Sequence, residues 1–454
     1  MTPTKVIILL ADIIVFFLLL KVLPFEPEAT KGLALLVFVG VLWLTEALHV
    51  TITALLVPVL AAVMGLLPTA KALAGFADSN IFLFFGGFAL AAAMHFQKLD
   101  KMIAIRLLHL ARGNFFLSII YLFSVTAFLS MWMSNTATAA MLLPLAMGML
   151  ANLDLEKDRN TFVFVLLGIA YSASIGGMGT LVGSPPNAIV ATNLDLTFAD
   201  WFAFGMPVMI VMLPLMVTTL FFVFRPNFHT RMHEIDDADI PMTRERAVTL
   251  GIFVLTALLW IFSGKINPVL SGLFGLEGKI AAFDSVIAIF AAILVVSLRV
   301  VTWKQVQHST DWGVLYLFGG GITLSLVLSQ TGASKVLSDG VVFLLEGSHF
   351  YIIGLGVALF VIFLTEFTSN TASAALLVPI FITIAEAMGQ APLGLAMIVG
   401  IGASCAFMLP VATPPNAIVF GTGHIRQADM IRVGFLLNIL SALLVGTAAF
   451  LFWM

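Results

Sequence analysis

Long apolar stretches separated by short polar segments run along almost the whole chain. Ten of them approach the roughly 20 residues that a helix needs to cross a bilayer, and a shorter one covers residues 51–67. The ten begin near Val6, Gly32, Ile81, Thr161, Phe202, Val248, Ile280, Val314, Gly394 and Ile431. Two further apolar segments, 115–150 and 350–388, each carry a Ser-Asn-Thr triplet near the middle. The pattern predicts an all-α integral membrane protein with about 11 transmembrane helices.

The composition leads to the same class of protein. Of the 454 residues, 61% are hydrophobic and 10% are charged, and the mean hydropathy is +1.11. So few polar residues cannot cover a soluble globule of this length. The net charge of −3 adds little to the picture, and no nucleic-acid partner is expected.

Two polar motifs occur twice in this apolar background. MSNTATAAMLLP (133–144) recurs as TSNTASAALLVP (368–379), and GSPPNAIV (183–190) recurs as ATPPNAIV (412–419). Segments that begin at Asp78 and Thr310 share an FGG sequence. Duplication argues against ordinary helices that merely tolerate small polar residues. Each triplet instead predicts the tip of a re-entrant helical hairpin, because Ser, Asn and Thr cap helices and irregular backbone at membrane depth must be buried or line a wet cavity.

The distribution of charge orients the two repeats. With a cytoplasmic N-terminus, eleven crossings and two non-crossing hairpins place 15 of the 21 lysines and arginines on the cytoplasmic side, as the positive-inside rule requires. The first hairpin then opens from the cytoplasm and the second from the outside, so the repeats are inverted. Inverted repeats with broken helices that meet at the membrane midplane are typical of secondary transporters.

The chain divides into four predicted parts. Residues 1–31 form an extra N-terminal helix, interpreted as retained because it lacks a clear small-x-small cleavage site. Residues 32–224 form the first repeat, 225–246 a charged cytoplasmic linker, and 247–454 the second repeat. The linker carries His229 and His233 near Asp236 and Asp237, but an isolated HxxxH in a polar loop is assigned no metal. The single cysteine, Cys405, excludes an intramolecular disulfide.

Helix breaks of this kind expose groups that suit ions of both signs. Hydroxyl, amide and free carbonyl oxygens suit a hard cation such as sodium, and the N–H groups of the following helix suit an anion. Asn187 and Asn416, in the Pro-Pro-Asn loops, are expected to tie each loop to its hairpin tip. No lysine or arginine falls in either tip or either loop. Because an unpaired buried anion is costly, bound cations are expected to compensate it, which couples the two ligands.

The paired triplets, the Pro-Pro-Asn loops and the FGG segments together resemble the divalent anion:sodium symporter family, the dicarboxylate transporters often called INDY. The resemblance covers essentially the whole chain. It implies a homodimer in which a scaffold domain (32–112 and 247–346) holds still. A transport domain (115–224 and 350–454) then moves across the membrane as an elevator.

The resemblance also implies ligands, position by position. The first sodium site is expected at Ser130, Ser134, Asn135 and the carbonyl of Gly183. The second is expected at Thr365, Thr368, Asn370 and the backbone of Ala412. Substrate carboxylates are expected at Asn135, Thr136, Asn370 and Thr371, with Ser184 and Thr413 completing the cradle. Glu366, beside the second tip, could help a cation site or carry a proton, but a structural hydrogen bond to a helix end is the simpler interpretation, as it is for Asp284 and His95.

The predicted function is sodium-coupled symport of a C4-dicarboxylate, such as succinate, malate or fumarate, across a bacterial inner membrane. The alternatives within this class are a sodium-independent dicarboxylate exchanger and a sodium-coupled carrier of citrate or sulfate. An intramembrane enzyme would need a nucleophile with its base, or HExxH-type metal spacing, and the spans contain neither. A passive channel would line one continuous pore, whereas the doubled motifs indicate a closed midplane site.

Overall fold

The computed structural model describes residues 2–151, 153–155, 157–228, 240–345 and 349–453, and all regular elements within these ranges are helices. The first half contains α1 Pro3–Val22, α2 Pro27–Thr45, α3 Val50–Val63, α4 Thr69–Ala74, α5 Ser79–Phe96, α6 Leu99–His109, α7 Phe115–Ser130, α8 Asn135–Leu150, α9 Arg159–Gly177, α10 Pro185–Leu194 and α11 Phe198–Phe224. The second half contains α12 Arg244–Ile261, α13 Ser263–Leu273, α14 Phe283–Ser297, α15 Trp303–Ser309, α16 Trp312–Thr331, α17 Ala333–Leu345, α18 Phe350–Thr365, α19 Asn370–Ala387, α20 Pro392–Gly402, α21 Pro414–Phe420 and α22 Gln427–Ala448. The linker residues His229, His233, Asp236 and Asp237 lie outside the described residues.

Each Ser-Asn-Thr triplet stands at a helix break. Ser134 caps α8 by accepting a hydrogen bond from Ala137 N at 3.2 Å, and Ser369 caps α19 by accepting one from Ala372 N at 3.4 Å. Such caps satisfy N–H groups that a helix start leaves free. Both α7 and α8 pack against α9, and both α18 and α19 pack against α20. The two arms of each pair also contact each other, which is the arrangement expected of a hairpin that turns at the triplet.

The Pro-Pro-Asn motifs begin the short arms of two broken helices. Prolines occupy the first helical positions of α10 and α21, where a missing N–H costs nothing. Residues 178–184 separate α9 from α10, and residues 403–413 separate α20 from α21. Both breaks are buried for most of their length, so the free carbonyls lie inside the protein.

The two repeats exchange elements in a reciprocal manner. α5 packs against α14, and its counterpart α16 packs against α3. The short arm α10 packs against α19 and α20, while α21 packs against α8 and α9. Each broken helix therefore places its second arm in the opposite repeat. This reciprocity gives the core a pseudo-two-fold arrangement, which agrees with the predicted duplication.

Seven helices in the described chain are long and apolar enough to cross a membrane by length and composition. A bent pair, α12 with α13, passes the same test together and turns by 93° between its two halves. The arms α7, α8 and α18, together with α3, α14 and α20, are shorter apolar helices. The chain is thus an all-α multi-pass membrane protein, and the count of eleven crossings stays a prediction.

Two charged residues near the spans have the structural partners expected of them. The Asp284 carboxylate accepts a hydrogen bond from Phe198 N at 2.7 Å, at the start of α11. His95 Nδ1 lies 3.0 Å from Asp100 Oδ2. Burial raises the pKa of the Asp100 carboxyl above its usual value, against hydrogen bonds that lower it. Both contacts tie helix ends of different elements together.

Candidate functional site

The first hairpin tip brings three oxygen atoms together, and of these only the Ser130 hydroxyl oxygen carries a hydrogen. Ser130 Oγ lies 2.6 Å from Asn135 Oδ1 and 2.7 Å from the carbonyl oxygen of Ala173 in α9. A hydroxyl donates one hydrogen, so it bonds only one of these two acceptors at a time. Ser130 is fully buried. Hydroxyl, amide and carbonyl oxygens gathered in this way beside a broken helix are ligands suited to a cation.

Glycines bring the first loop into contact with this oxygen cluster. A β-carbon on Gly177 would lie 2.6 Å from Asn135 Oδ1 and 3.0 Å from the Gly183 carbonyl oxygen. Thr180 Oγ1 donates to the carbonyl oxygen of Met131 in the tip. The structure therefore gathers the predicted ligands Ser130, Asn135 and Gly183. Ser134 caps α8 instead and is exposed.

The close approach at Gly177 gives a test of the first site. Gly177→Ala should displace Asn135 Oδ1, because real β-carbons do not approach other atoms to 2.6 Å. We expect a loss of sodium-dependent uptake, measured as a rise in the sodium concentration that gives half-maximal rate. Gly148→Ala in α8 of the same hairpin is the control, since nothing lies within 4 Å of a β-carbon there. Equal sodium dependence in the two variants would contradict this assignment.

The second hairpin tip repeats the arrangement of the first. Thr365 Oγ1 lies 2.6 Å from Asn370 Oδ1 and 3.2 Å from the carbonyl oxygen of Ala403. The other two predicted ligands, Thr368 and Ala412, have partners within their own segments. Thr368 Oγ1 bonds to the Leu364 carbonyl within its own hairpin arm at 3.0 Å, and Ala412 is a buried residue whose N–H donates to the Leu409 carbonyl oxygen at 3.2 Å.

The loop asparagines brace their own loops rather than the hairpin tips. Asn187 Nδ2 donates to the carbonyl oxygens of Gly177 at 2.8 Å and Thr180 at 2.7 Å. Asn416 Nδ2 donates to those of Ala406 at 3.0 Å and Leu409 at 3.1 Å. The sequence predicted that these asparagines bond to the hairpin tips, and that prediction was wrong, because their partners are carbonyls at the helix breaks. The short arm is turned toward the opposite repeat, so its asparagine reaches back over the break.

Ser184 and Thr413, the predicted loop ligands for substrate, are both buried. Ser184 Oγ lies 3.2 Å from Ser404 Oγ of the opposite repeat, and Thr413 Oγ1 accepts a hydrogen bond from Asn416 N at 3.3 Å. Only 3% of Ser184 and 4% of Thr413 is exposed. In this conformation both hydroxyls serve the packing of the loops. The sequence carried no signal for Ser404, because the contact joins residues 220 positions apart.

A cavity of about 650 Å³ opens beside the first tip, between the hairpin, α5 and the segment before α16. Its walls include Ser134, Thr136 and Gly183 from the candidate site and His95 and His308 at the ends of helices. Thr136 is exposed there, while Asn135, Asn370 and Thr371 are half-buried. The described walls carry no lysine or arginine. A small anion in this cavity would meet hydroxyls and helix N-termini instead of fixed cations, and it would have to avoid the Asp311 side chain on the same wall.

The oxygen atoms of the two clusters are ligands that fit a sodium ion. Hydroxyl, amide and carbonyl oxygens at the ends of half-helices are the ligands that transporters with broken helices use for this ion. The sequence did not predict three contributors to the site, which are Thr180 and the carbonyls of Ala173 and Ala403. Backbone carbonyls leave no signal in a sequence, and Thr180 lies in a glycine-rich segment that resembles a phosphate loop only superficially.

Two broken helices and two hairpin tips, each with its own oxygen cluster, are the architecture of a membrane transporter. Comparison with known proteins names its family. The model described as the sodium:sulfate symporter transmembrane region matches residues 2–454. An uncharacterized transporter of Haemophilus influenzae is 64% identical over 448 residues, which cover 99% of this chain and 97% of the relative. The chain belongs to the sodium:sulfate symporter family, so the resemblance to divalent anion:sodium symporters is confirmed, and the protein is a transporter rather than an enzyme.

Two further similarities bear on function and fold. SdcS of Staphylococcus saprophyticus, a sodium-dependent dicarboxylate transporter, is 33% identical over 465 residues, which cover 94% of this chain and 87% of the relative. The crystal structure of the YdaH transporter of Alcanivorax borkumensis matches with a TM-score of 0.53 at 15% identity, over 83% of this chain and 87% of that one. The YdaH similarity shows the fold alone.

Proposed function

We propose that this protein imports a C4-dicarboxylate together with sodium ions. The observation that carries the proposal is the doubled oxygen cluster. Ser130 with Asn135, and Thr365 with Asn370, each form a pair 2.6 Å apart beside a carbonyl from a broken helix. Two such clusters of hydroxyl, amide and carbonyl oxygens support two cation sites, one in each repeat.

The substrate class follows from charge and from the relatives. Helix N-termini at α8 and α19 offer N–H groups and hydroxyls to an anion, and Thr136 and Thr371 stand in the first turn of each. Without lysine or arginine in the tips or loops, a divalent anion needs the sodium ions for charge balance. The dicarboxylate named for SdcS supports succinate, malate or fumarate over sulfate, which the family description names.

The proposed mechanism has a scaffold formed by residues 32–112 and 247–346 and a transport domain formed by 115–224 and 350–454. The transport domain carries both oxygen clusters and slides past the scaffold within a homodimer. With a cytoplasmic N-terminus, the cavity beside the first tip opens to the cytoplasm. The pseudo-two-fold packing of α5 on α14 and α16 on α3 supports a symmetric counterpart state that opens to the outside.

Uptake of labelled succinate into proteoliposomes tests this function. Accumulation driven by an inward sodium gradient, and absent with potassium at equal ionic strength, is the expected result. Uptake without sodium that appears only in vesicles preloaded with dicarboxylate would identify an exchanger. Sodium-driven uptake of citrate or sulfate, with none of succinate, would keep the symport mechanism and reassign the substrate.

A further inference from the structure

The two cation sites differ in one buried charge. Glu366 follows α18 directly, next to Thr365 of the second site, and its side chain is fully buried. Glu366 Oε1 accepts hydrogen bonds from Met408 N at 2.8 Å and Asn438 Nδ2 at 2.7 Å, and Oε2 accepts one from Leu409 N at 3.0 Å. All three partners are donors, so Glu366 serves as an acceptor at both oxygens, as a carboxylate does.

Among the described residues, this carboxylate has no cationic side chain to balance it. None of the ion pairs in the described residues involves Glu366. They join Lys31 to Glu28, His95 to Asp100, Lys157 to Asp154, and Arg159 and Arg426 to Asp429. A buried charge without a counter-charge is costly, and neutral N–H donors offset only part of that cost. A cation bound nearby would supply the remainder.

The second oxygen cluster is the place for that cation. Thr365, the residue before Glu366, contributes the hydroxyl of this cluster, and Asn370 contributes the amide oxygen. The loop that Glu366 holds through Met408 and Leu409 also contains Ala403, whose carbonyl oxygen completes the cluster. One carboxylate therefore supports both walls of the second site, the hairpin tip and the loop.

The first repeat has apolar residues at the equivalent positions. The triplets lie 235 positions apart, which pairs Glu366 with Met131, and the loop asparagines lie 229 apart, which pairs Asn438 with Met209 and Met408 with Gly179. The packing agrees with this correspondence. A β-carbon on Gly179 would lie 2.8 Å from Met209 Sδ and 3.3 Å from Met131 Cγ. Two methionines thus surround the first loop where a glutamate and an asparagine hold the second.

We propose that Glu366 is a positioning residue that makes the second cation site the tighter of the two, so that it fills first. This inference rests on the proposed sodium coupling and adds the order in which the two sodium sites fill. A full charge at short range in a medium of intermediate dielectric changes cation affinity by roughly 10- to 100-fold. The first site, flanked by Met131 and Met209, has no such charge and fills second.

Direct binding of sodium to the purified full-length protein, measured by titration calorimetry in potassium-free choline buffer without substrate, tests the inference. Wild type should show a tight and a weak phase. Glu366→Gln should remove the tight phase and leave the weak one. In Glu366→Gln alone, the amide N–H groups at position 366 could face the Asn438 amide, which is itself a donor. The double variant Glu366→Gln with Asn438→Asp avoids this clash and moves the carboxylate to position 438. It should restore the tight phase.

A mirror variant keeps the test independent of damage at Glu366. Met131→Glu with Met209→Asn places the pair in the first repeat and should tighten the weak phase by roughly 10-fold or more. An unchanged weak phase in the mirror variant, or an unchanged tight phase in Glu366→Gln, would overturn this inference alone. Wild type that binds no sodium would overturn the proposed symport and this inference with it.

Discussion

Asn135→Ala and Asn370→Ala should each abolish uptake at physiological sodium while leaving an assembled protein. Each asparagine supplies the amide oxygen that lies 2.6 Å from the hydroxyl of its cluster. Interactions of this kind with a charged partner contribute about 1.5–3 kcal/mol, so the sodium affinity of the altered site should fall by roughly 10- to 100-fold. Because both sites must fill to balance a divalent anion, losing either one stops the cycle.

The sodium dependence of uptake in proteoliposomes measures this effect. Raising the sodium concentration should recover part of the rate in each variant. Asn193→Ala is the matched control, since Asn193 Nδ2 only donates to the Ile189 carbonyl of its own helix, at 2.8 Å. Wild-type uptake in both hairpin variants would show that the oxygen clusters do not bind the coupling ion.

Disulfides between the proposed scaffold and transport domain should arrest transport in the present conformation. A β-carbon on Gly87 in α5 would lie 3.3 Å from Val182 Cβ, and one on Gly321 in α16 would lie 3.5 Å from Ala375 Cβ. Disulfides join β-carbons about 3.5–4.5 Å apart. The pair Gly321→Cys with Ala375→Cys should therefore cross-link with little distortion, and the pair Gly87→Cys with Val182→Cys after its backbones separate by a few tenths of an ångström.

Oxidation of either pair should reduce uptake to background, and a reductant should restore it. The native Cys405, the single cysteine of the chain, is replaced by alanine in each of these variants and in the control. That control is Gly402→Cys with Val361→Cys, two positions within the proposed transport domain where the β-carbons would lie 3.7 Å apart. Full activity after complete cross-linking of the first two pairs would exclude sliding at these contacts.

Much of the fold could be predicted because its signals are local. The helix breaks were predicted at the correct triplets, since Ser134 and Ser369 cap the following helices and need no distant partner. The Pro-Pro motifs begin α10 and α21 for the same kind of reason. Duplicated motifs then revealed the two repeats. Hydroxyl and amide side chains in both tips were enough to predict sodium chemistry.

The candidate site was less predictable because its remaining parts come from contacts across the repeats. Ser184 meets Ser404 over 220 positions, and the Ala173 and Ala403 carbonyls reach the tips only after α9 and α20 have packed against the hairpins. A structural hydrogen bond to a helix end was one of the roles predicted for Glu366. Its donors Met408, Leu409 and Asn438 were not predictable, because they belong to a loop and a helix that follow it by 42 to 72 positions.

Local patterns in the chain were sufficient to identify a duplicated, helical membrane transporter, the places where its helices break, and the oxygen-bearing side chains that stand at the breaks. These properties depend on hydropathy, capping and proline chemistry over a few residues. Tertiary packing was needed to show which carbonyls join each oxygen cluster, which hydroxyls are buried between loops, and that one cluster lies beside a buried carboxylate while the other lies beside two methionines. Those outcomes depend on how distant segments meet, and packing partners across the two repeats leave no local pattern in the chain.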